Sequence, residues 1–326
     1  MQKAMRFKNV LSALLTLFAF SSTTMASESS WYLEQTPYDV KTLLVDDVSL
    51  RTGYYRESSE VPFKGCVIYL QGLADSGLNQ APLFQYLSQH GYRSVFFDFM
   101  GQGGSSGTMN NTRIFDPMNP TLQLSTQAQL VWEKYATLKD SVNGRDCSQS
   151  KKLVMGWSTG GLPAYMLAHE QWADAVVLFA PGIHVRAFVG ESAAEPKKLL
   201  TFQQVITERT LTRNKFEGMT NPHVDPIKPL SPAHIPMFAT NLLMSSKISQ
   251  NWKISPKVPG LTFITGENDF YVNAPAVEKT LQQNAPHFKL ERYPESYHEL
   301  TNEMPEVSQE VYQKTVLFLN EVLANK

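Results

Sequence analysis

The chain has 326 residues, 42% of them hydrophobic and 18% charged, which is enough to bury one large core without metal or disulfide staples. Its formal net charge of -1 leaves no electrostatic footprint for nucleic acid or an anionic membrane surface. The composition is that of a globular protein, not of a disordered, collagenous or multi-span membrane chain.

The first element is a leader. "MQKAMRFKN" carries Lys3, Arg6 and Lys8, and is followed by the apolar run "VLSALLTLFAF" and the small, polar "SSTTMAS". Basic start, short apolar centre and a small residue at Ala26 predict a secretory signal peptide over residues 1–26, with export to the periplasm or medium. The apolar run is about half of the roughly 20 residues a bilayer span needs, so no transmembrane segment is expected after cleavage; a retained anchor is the alternative. Two cysteines, Cys66 and Cys147, in an exported chain suggest a disulfide, against two separate buried thiols.

Beyond the leader, "YDVKTLLV" and "VSLRTGYYR" read as an antiparallel opening pair. "GCVIYLQG" is a continuous apolar strand, and "APLFQYLSQHGY" a helix ended by Gly91. "RSVFFDF" is the next strand, and "STQAQLVWEKYATLKDSVNG" reads as one long amphipathic helix with Gly144 after its end. Then come strand "KKLVMGW", helix "GLPAYMLAHEQW" and strand "DAVVLFAPG". After a long interruption follow strand "LTFITG", helix "APAVEKTLQQNA", strand "FKLERYP" and a last helix within "SQEVYQKTVLFLNEVLA". Strands that read as buried on both faces, alternating with helices, predict an α/β fold around a mostly parallel sheet.

The interruption, about residues 184–255, is too long for a loop and too apolar for a linker. It is expected to be a helical cap inserted above the sheet within a single domain spanning 27–326; an independent second domain is the alternative.

"GWSTGG" sets Ser158 between a strand and a helix, the context of a nucleophile elbow. Glycines at 156 and 160 fit a turn that brings strand and helix backbones together, and the helix N-terminus favours developing negative charge. A serine needs a base to take its proton and an acid to orient the base, and in an elbow fold they follow in the order acid, then histidine. "LTFITGENDFYV" offers Glu267 and Asp269 past a late strand, with Asp269 preferred because it stands further into the loop. "FKLERYPESYHEL" supplies His298 after the last strand. The other six histidines fall at helix ends, before a strand or in the cap, where packing roles suit them better.

With these motifs in this order, the chain resembles the α/β-hydrolase superfamily: "GWSTGG" as elbow, "GENDFYV" as acid loop, "SYHELTNE" as histidine loop. The last is similar to the monoglyceride lipase and lysophospholipase branch, whose relatives include serine aminopeptidases. The turn "DFMGQGGSSG" is similar to the family's glycine-rich turn after the fourth strand; it lacks a P-loop ending and the dinucleotide spacing, and reads as structural. One departure stands out: "YLQGLADSG" has Gln71 where the family has a histidine before glycine.

The resemblance implies a mechanism. Ser158 would attack a carbonyl, His298 act as base and Asp269 orient it, with the backbone N–H groups of Leu73 and Thr159 as oxyanion hole. No metal or organic cofactor is implied, and no His-Glu-x-x-His or Cys-x-x-Cys cluster is present to hold one. The implied partner is a small-molecule or lipid ester with an apolar acyl chain, a monoacylglycerol or lysophospholipid, with the cap's Phe188, Phe202, Phe216 and Trp252 either lining an acyl pocket or packing the cap. An aminopeptidase would instead use cap carboxylates such as Glu191, Glu208 and Asp225 for the substrate amine, and a non-catalytic binding module is the third alternative. The resemblance also implies that Cys66 and Cys147 are joined, since in the family the strands that follow them are parallel neighbours.

Overall fold

The computed structural model describes residues 38–45, 47–73, 75–108, 113–118, 123–186, 235–269 and 271–325. The chain divides into two units, Met1–Pro37 and Tyr38–Lys326; the expected signal peptide falls in the first, outside the described residues.

Eight strands form one sheet: β1 (Tyr38–Val45), β2 (Val48–Tyr55), β3 (Gly65–Leu70), β4 (Tyr92–Phe97), β5 (Leu153–Trp157), β6 (Ala175–Phe179), β7 (Gly260–Ile264) and β8 (Lys289–Arg292). Their order is β1-β2-β4-β3-β5-β6-β7-β8. The first two strands are antiparallel to each other, β2 is antiparallel to β4, and every pairing from β4 to β8 is parallel. Among the described residues the α-helices are α1 (Ala81–Gln89), α2 (Leu124–Ala136), α3 (Gly161–His169), α4 (Ile235–Ser249), α5 (Ala274–Asn284) and α6 (Pro305–Ala324). This is the α/β-hydrolase architecture.

Every residue of β3 to β7 is buried, because helices cover both faces and the strands are largely apolar, Arg93 and Ser94 of β4 and Thr262 of β7 excepted. The edges differ. β8, "KLER", has no buried residue, and Lys289 and Arg292 pair with Glu321 and Glu278, charges that discourage edge-to-edge pairing. The two faces follow the pleat: Ile68 and Leu70 join the core that holds α2 and α3, while Tyr69 packs on Phe84 of α1 at 5.4 Å between centroids. On that second face α1 lies beside α6, with the Tyr86 and Tyr312 rings 5.6 Å apart.

One expected element is shorter than its pattern. The helix read over 125–144 ends at Ala136, and the rest is a tethered turn. Asp140 ends it: its carboxylate accepts from the N–H groups of Val142 and Asn143 at 2.8 and 3.0 Å, from Tyr54 Oη–H at 2.6 Å and from Arg56 Nε–H at 2.8 Å. An aspartate that satisfies local N–H groups competes with helix continuation. Gly144 sits inside that turn at φ +68° instead of after a helix.

The same segment carries Cys147 to Cys66. The two are joined by a disulfide with Cα atoms 5.7 Å apart, closing a loop across 81 residues. Next to Cys66, across the ladder, Arg93 is fully buried against Glu57 (Nε to Oε2 2.9 Å) and stacks over Tyr54 at 4.8 Å. Arg93 Nη1–H also donates to the Arg145 carbonyl at 3.1 Å, so ion pair and disulfide fasten one segment to the amino-terminal ends of β3 and β4.

Of the insertion between β6 and β7, α4 and the chain after it are described, and the first helical stretch lies outside the described residues. Asn241 of α4 accepts from Ile114 N–H at 2.9 Å and donates to the Phe115 carbonyl at 3.2 Å. Trp252 is buried, parallel to His169 at 5.7 Å, with its carbonyl accepting from Tyr165 Oη–H at 2.8 Å; it packs the base of the insertion. Phe188, Phe202, Phe216 and the cap carboxylates at 191, 208 and 225 lie outside the described residues. Among the described residues no helix is long and apolar enough to cross a membrane.

Candidate active site

Ser158 stands in the turn from β5 to α3, at φ +53°, a left-handed conformation that a non-glycine residue adopts only when its surroundings impose it. The glycines around it are what impose it. A β-carbon at position 156 would lie 2.3 Å from the Gly160 carbonyl oxygen, and one at 160 would lie 2.2 Å from that of Leu70. The elbow is thereby pressed onto the end of β3, and Ser158 is left half-buried above the sheet.

The loops after β7 and β8 bring the partners. His298 Nε2 is 2.7 Å from Ser158 Oγ, and His298 Nδ1 is 2.8 Å from Asp269 Oδ2. Asp269 is wholly buried and accepts from four donors: His298 and the Thr265 hydroxyl (2.6 Å) on Oδ2, and the N–H groups of Tyr271 and Val272 (both 2.9 Å) on Oδ1. Burial alone would raise its pKa, but the charge on His298 and the hydrogen bonds from His298, Thr265 and Val272 outweigh it and hold the carboxyl below its ordinary range. With Asp269 ionised, the imidazole carries its proton on Nδ1 and offers Nε2 to accept the Ser158 hydroxyl. The alternative acid, Glu267, stays on the exposed outer part of the loop.

Leu73 follows the end of β3 and Thr159 follows Ser158. β3 and β5 are adjacent, with Leu70 opposite Gly156, so the loops carrying the two expected donors lie side by side. Thr159 N–H belongs to the first turn of a helix start, where amides lack intrahelical acceptors. Gln71 is buried, and its Nε2–H donates to the Asp75 carbonyl at 2.7 Å, bridging the loop that contains Leu73; Gln71 Oε1 has no partner among the described residues.

The glycine-rich turn is structural, as its spacing suggests. Asp98 accepts from Arg51 Nε–H (2.5 Å), Gly77 N–H (2.9 Å) and Gly104 N–H (2.8 Å), tying the turn to the loop after β3. The four other described histidines have packing partners: His90 stacks on Tyr86, and His169, His184 and His287 bond Lys253 O, Thr280 Oγ1 and Val258 O.

Two features escape sequence reasoning. Trp157 Nε1–H donates to the His298 carbonyl at 3.1 Å. Behind the site, Gln80 joins the loop after β3 to the histidine loop: its Nε2 donates to Asp75 (3.2 Å) and Glu299 (3.4 Å), and its Oε1 accepts from Thr301 (2.9 Å). Thr265, four residues before Asp269, is the one supporting group that local spacing could have flagged. Among the described residues no cluster of three His, Cys, Asp or Glu side chains could hold a metal ion.

Sheet order, elbow and loop placement define an α/β hydrolase. The chain belongs to the family described as serine aminopeptidase, S33 (Hydrolase_4), whose model matches residues 62–305. A soluble variant of monoglyceride lipase from Saccharomyces cerevisiae in complex with a substrate analog superposes with TM-score 0.64 at 14% identity, covering 89% of this chain and 97% of that one. A thermostable carboxyl esterase from Bacillus coagulans in complex with glycerol gives 0.60 at 14%, covering 89% and 100%. A monoacylglycerol lipase of Paleococcus ferrophilus gives 0.56 at 15%, covering 84% and 99%. At such identities the likeness speaks to the fold alone. Comparison with curated proteins gives no match.

Proposed function

We propose that the protein is a serine hydrolase that cleaves carboxylic esters with an apolar acyl chain, of the monoacylglycerol or lysophospholipid kind, through an acyl-enzyme. The observation that supports this reading is the unbroken chain from Ser158 Oγ through His298 to Asp269, at 2.7 and 2.8 Å. Ser158 Oγ attacks the ester carbonyl as its proton passes to His298 Nε2, and Asp269 steadies the imidazolium. The N–H groups of Leu73 and Thr159 receive the oxyanion. His298 then protonates the departing alcohol, and a water, deprotonated by the same nitrogen, releases the acid. The insertion is the cap that shapes the acyl site. The disulfide fits an exported chain whose mature form begins after Ala26.

The family's description favours one second reading, cleavage of an amino-terminal residue from a peptide. Assay of the purified protein on p-nitrophenyl esters of graded acyl length beside aminoacyl-nitroanilides separates the two. The ester reading expects turnover that depends on chain length and little on the anilides; the reverse pattern gives the aminopeptidase.

A further inference from the structure

Trp157 ends β5 and precedes Ser158, and it is only 2% exposed. The pleat turns its side chain away from α3: a β-carbon on neighbouring Gly156 faces Ala164 of that helix, so Trp157 faces the opposite side of the sheet. There the indole meets two separate loops. Its Nε1–H reaches the His298 carbonyl at 3.1 Å, across 141 residues of chain. Its six-membered ring lies flat enough on Gly72 that a β-carbon there would stand 2.4 Å from both Cε3 and Cζ3. The ring also lies 5.5 Å from the imidazole of His298, whose other neighbour, Tyr271, lies at 5.0 Å.

One rigid side chain thus adjoins the nucleophile by covalent connection, the residue before Leu73 by packing, and the main chain of His298 by hydrogen bond. The indole N–H can only donate, and it is buried, so its bond to the carbonyl is directional and costly to break. Building on the Ser158–His298 reading above, we propose that Trp157 is a positioning residue for that reaction: it fixes the oxyanion loop and the histidine loop at one common distance from the nucleophile. A packing role alone would be served by any large apolar ring. The positioning role needs the N–H.

Trp157→Phe keeps a ring against Gly72 and deletes the donor. The expected result on a p-nitrophenyl ester is a fall in kcat of about tenfold or more with KM changed less than about twofold, because misplacement by a fraction of an ångström acts on the chemical step. The rate of fluorophosphonate labelling should fall by the same factor, both rates being read well below the thermal midpoint of the variant. A kcat within about twofold of the parent, or a loss confined to KM, overturns the positioning role. If Trp157→Phe does not accumulate, Gly72→Ala presses the same contact from the loop side: the kcat-selective loss is expected again, and an unchanged kcat overturns the proposal. Ser158→Ala, run in parallel, keeps the two claims apart. Turnover near that of the parent in Ser158→Ala sinks the Ser158–His298 reading itself, whereas a crippled Ser158→Ala beside a fully active Trp157→Phe sinks only the positioning role.

Discussion

Four donors on two oxygens let Asp269 stay ionised at zero exposure beside an imidazole. Asp269→Asn keeps the shape but favours the wrong imidazole tautomer, and kcat is expected to fall by about 10⁴-fold at neutral pH. Ser158→Ala and His298→Ala should fall as far or further, and for Ser158→Ala, whose side chain is small and half-buried, the thermal midpoint should change little. Because the Asp269 carboxyl is held below its ordinary range, it stays charged at mildly acid pH. The acid limb of kcat/KM should therefore carry no contribution from Asp269 and report one proton, with activity rising as pH rises. A limb requiring two protons, or a flat profile with chemistry rate-limiting, would contradict those roles. At this scale the sequence was generous: Ser158, Asp269 and His298 each sit in a short local motif. Trp157 and Gln80 were not legible, because their partners stand 141 and 219 residues away and nothing in a local pattern encodes such a contact.

Among the elements, the central strands could be read because burial on both faces writes a nearly continuous apolar run, and most helices because one apolar stripe repeats along them. The exception is the end of α2. Its amphipathic pattern continues past Ala136, but Asp140 satisfies two N–H groups of the following turn and holds Tyr54 of β2 and Arg56 just after it, more than eighty residues earlier. Burial opposes ionisation of Asp140, but the bonds from Tyr54 and Arg56 prevail and its pKa is depressed in the fold. The sign follows: its contribution is present above the unfolded aspartate value, about 3.9, and is lost as pH falls below that toward the folded value. The stability gap between parent and Asp140→Asn, read by urea denaturation, should be wide at neutral pH and shrink on acidification. A gap independent of pH would contradict this. The disulfide beside it gives a second check. Cys66→Ala/Cys147→Ala should lose roughly 4 to 5 kcal/mol by the chain-entropy estimate for a loop of this length, with kcat retained, because bridge and site lie at opposite ends of β3 and β5. A double variant as stable as the parent would show that the loop is held without it.

For the whole molecule, topology does the assembling. Parallel strands point their carboxyl ends the same way, so the loops after β3, β5, β7 and β8 converge on one edge although their residues are spread from Gln71 to Asn302. The amino-terminal edge is left to stability, with the disulfide and the buried Arg93–Glu57 pair. Removing one partner of that pair, as in Arg93→Met, leaves a buried charge and should cost about 3 to 5 kcal/mol without altering KM. Everything proposed for this edge rests on Ser158 as the nucleophile. The most direct measurement is intact mass and peptide mapping after reaction with a fluorophosphonate. One adduct per chain is expected, on the peptide that contains Ser158, and none in Ser158→Ala. An unmodified parent protein, or an adduct that persists in Ser158→Ala, would contradict it.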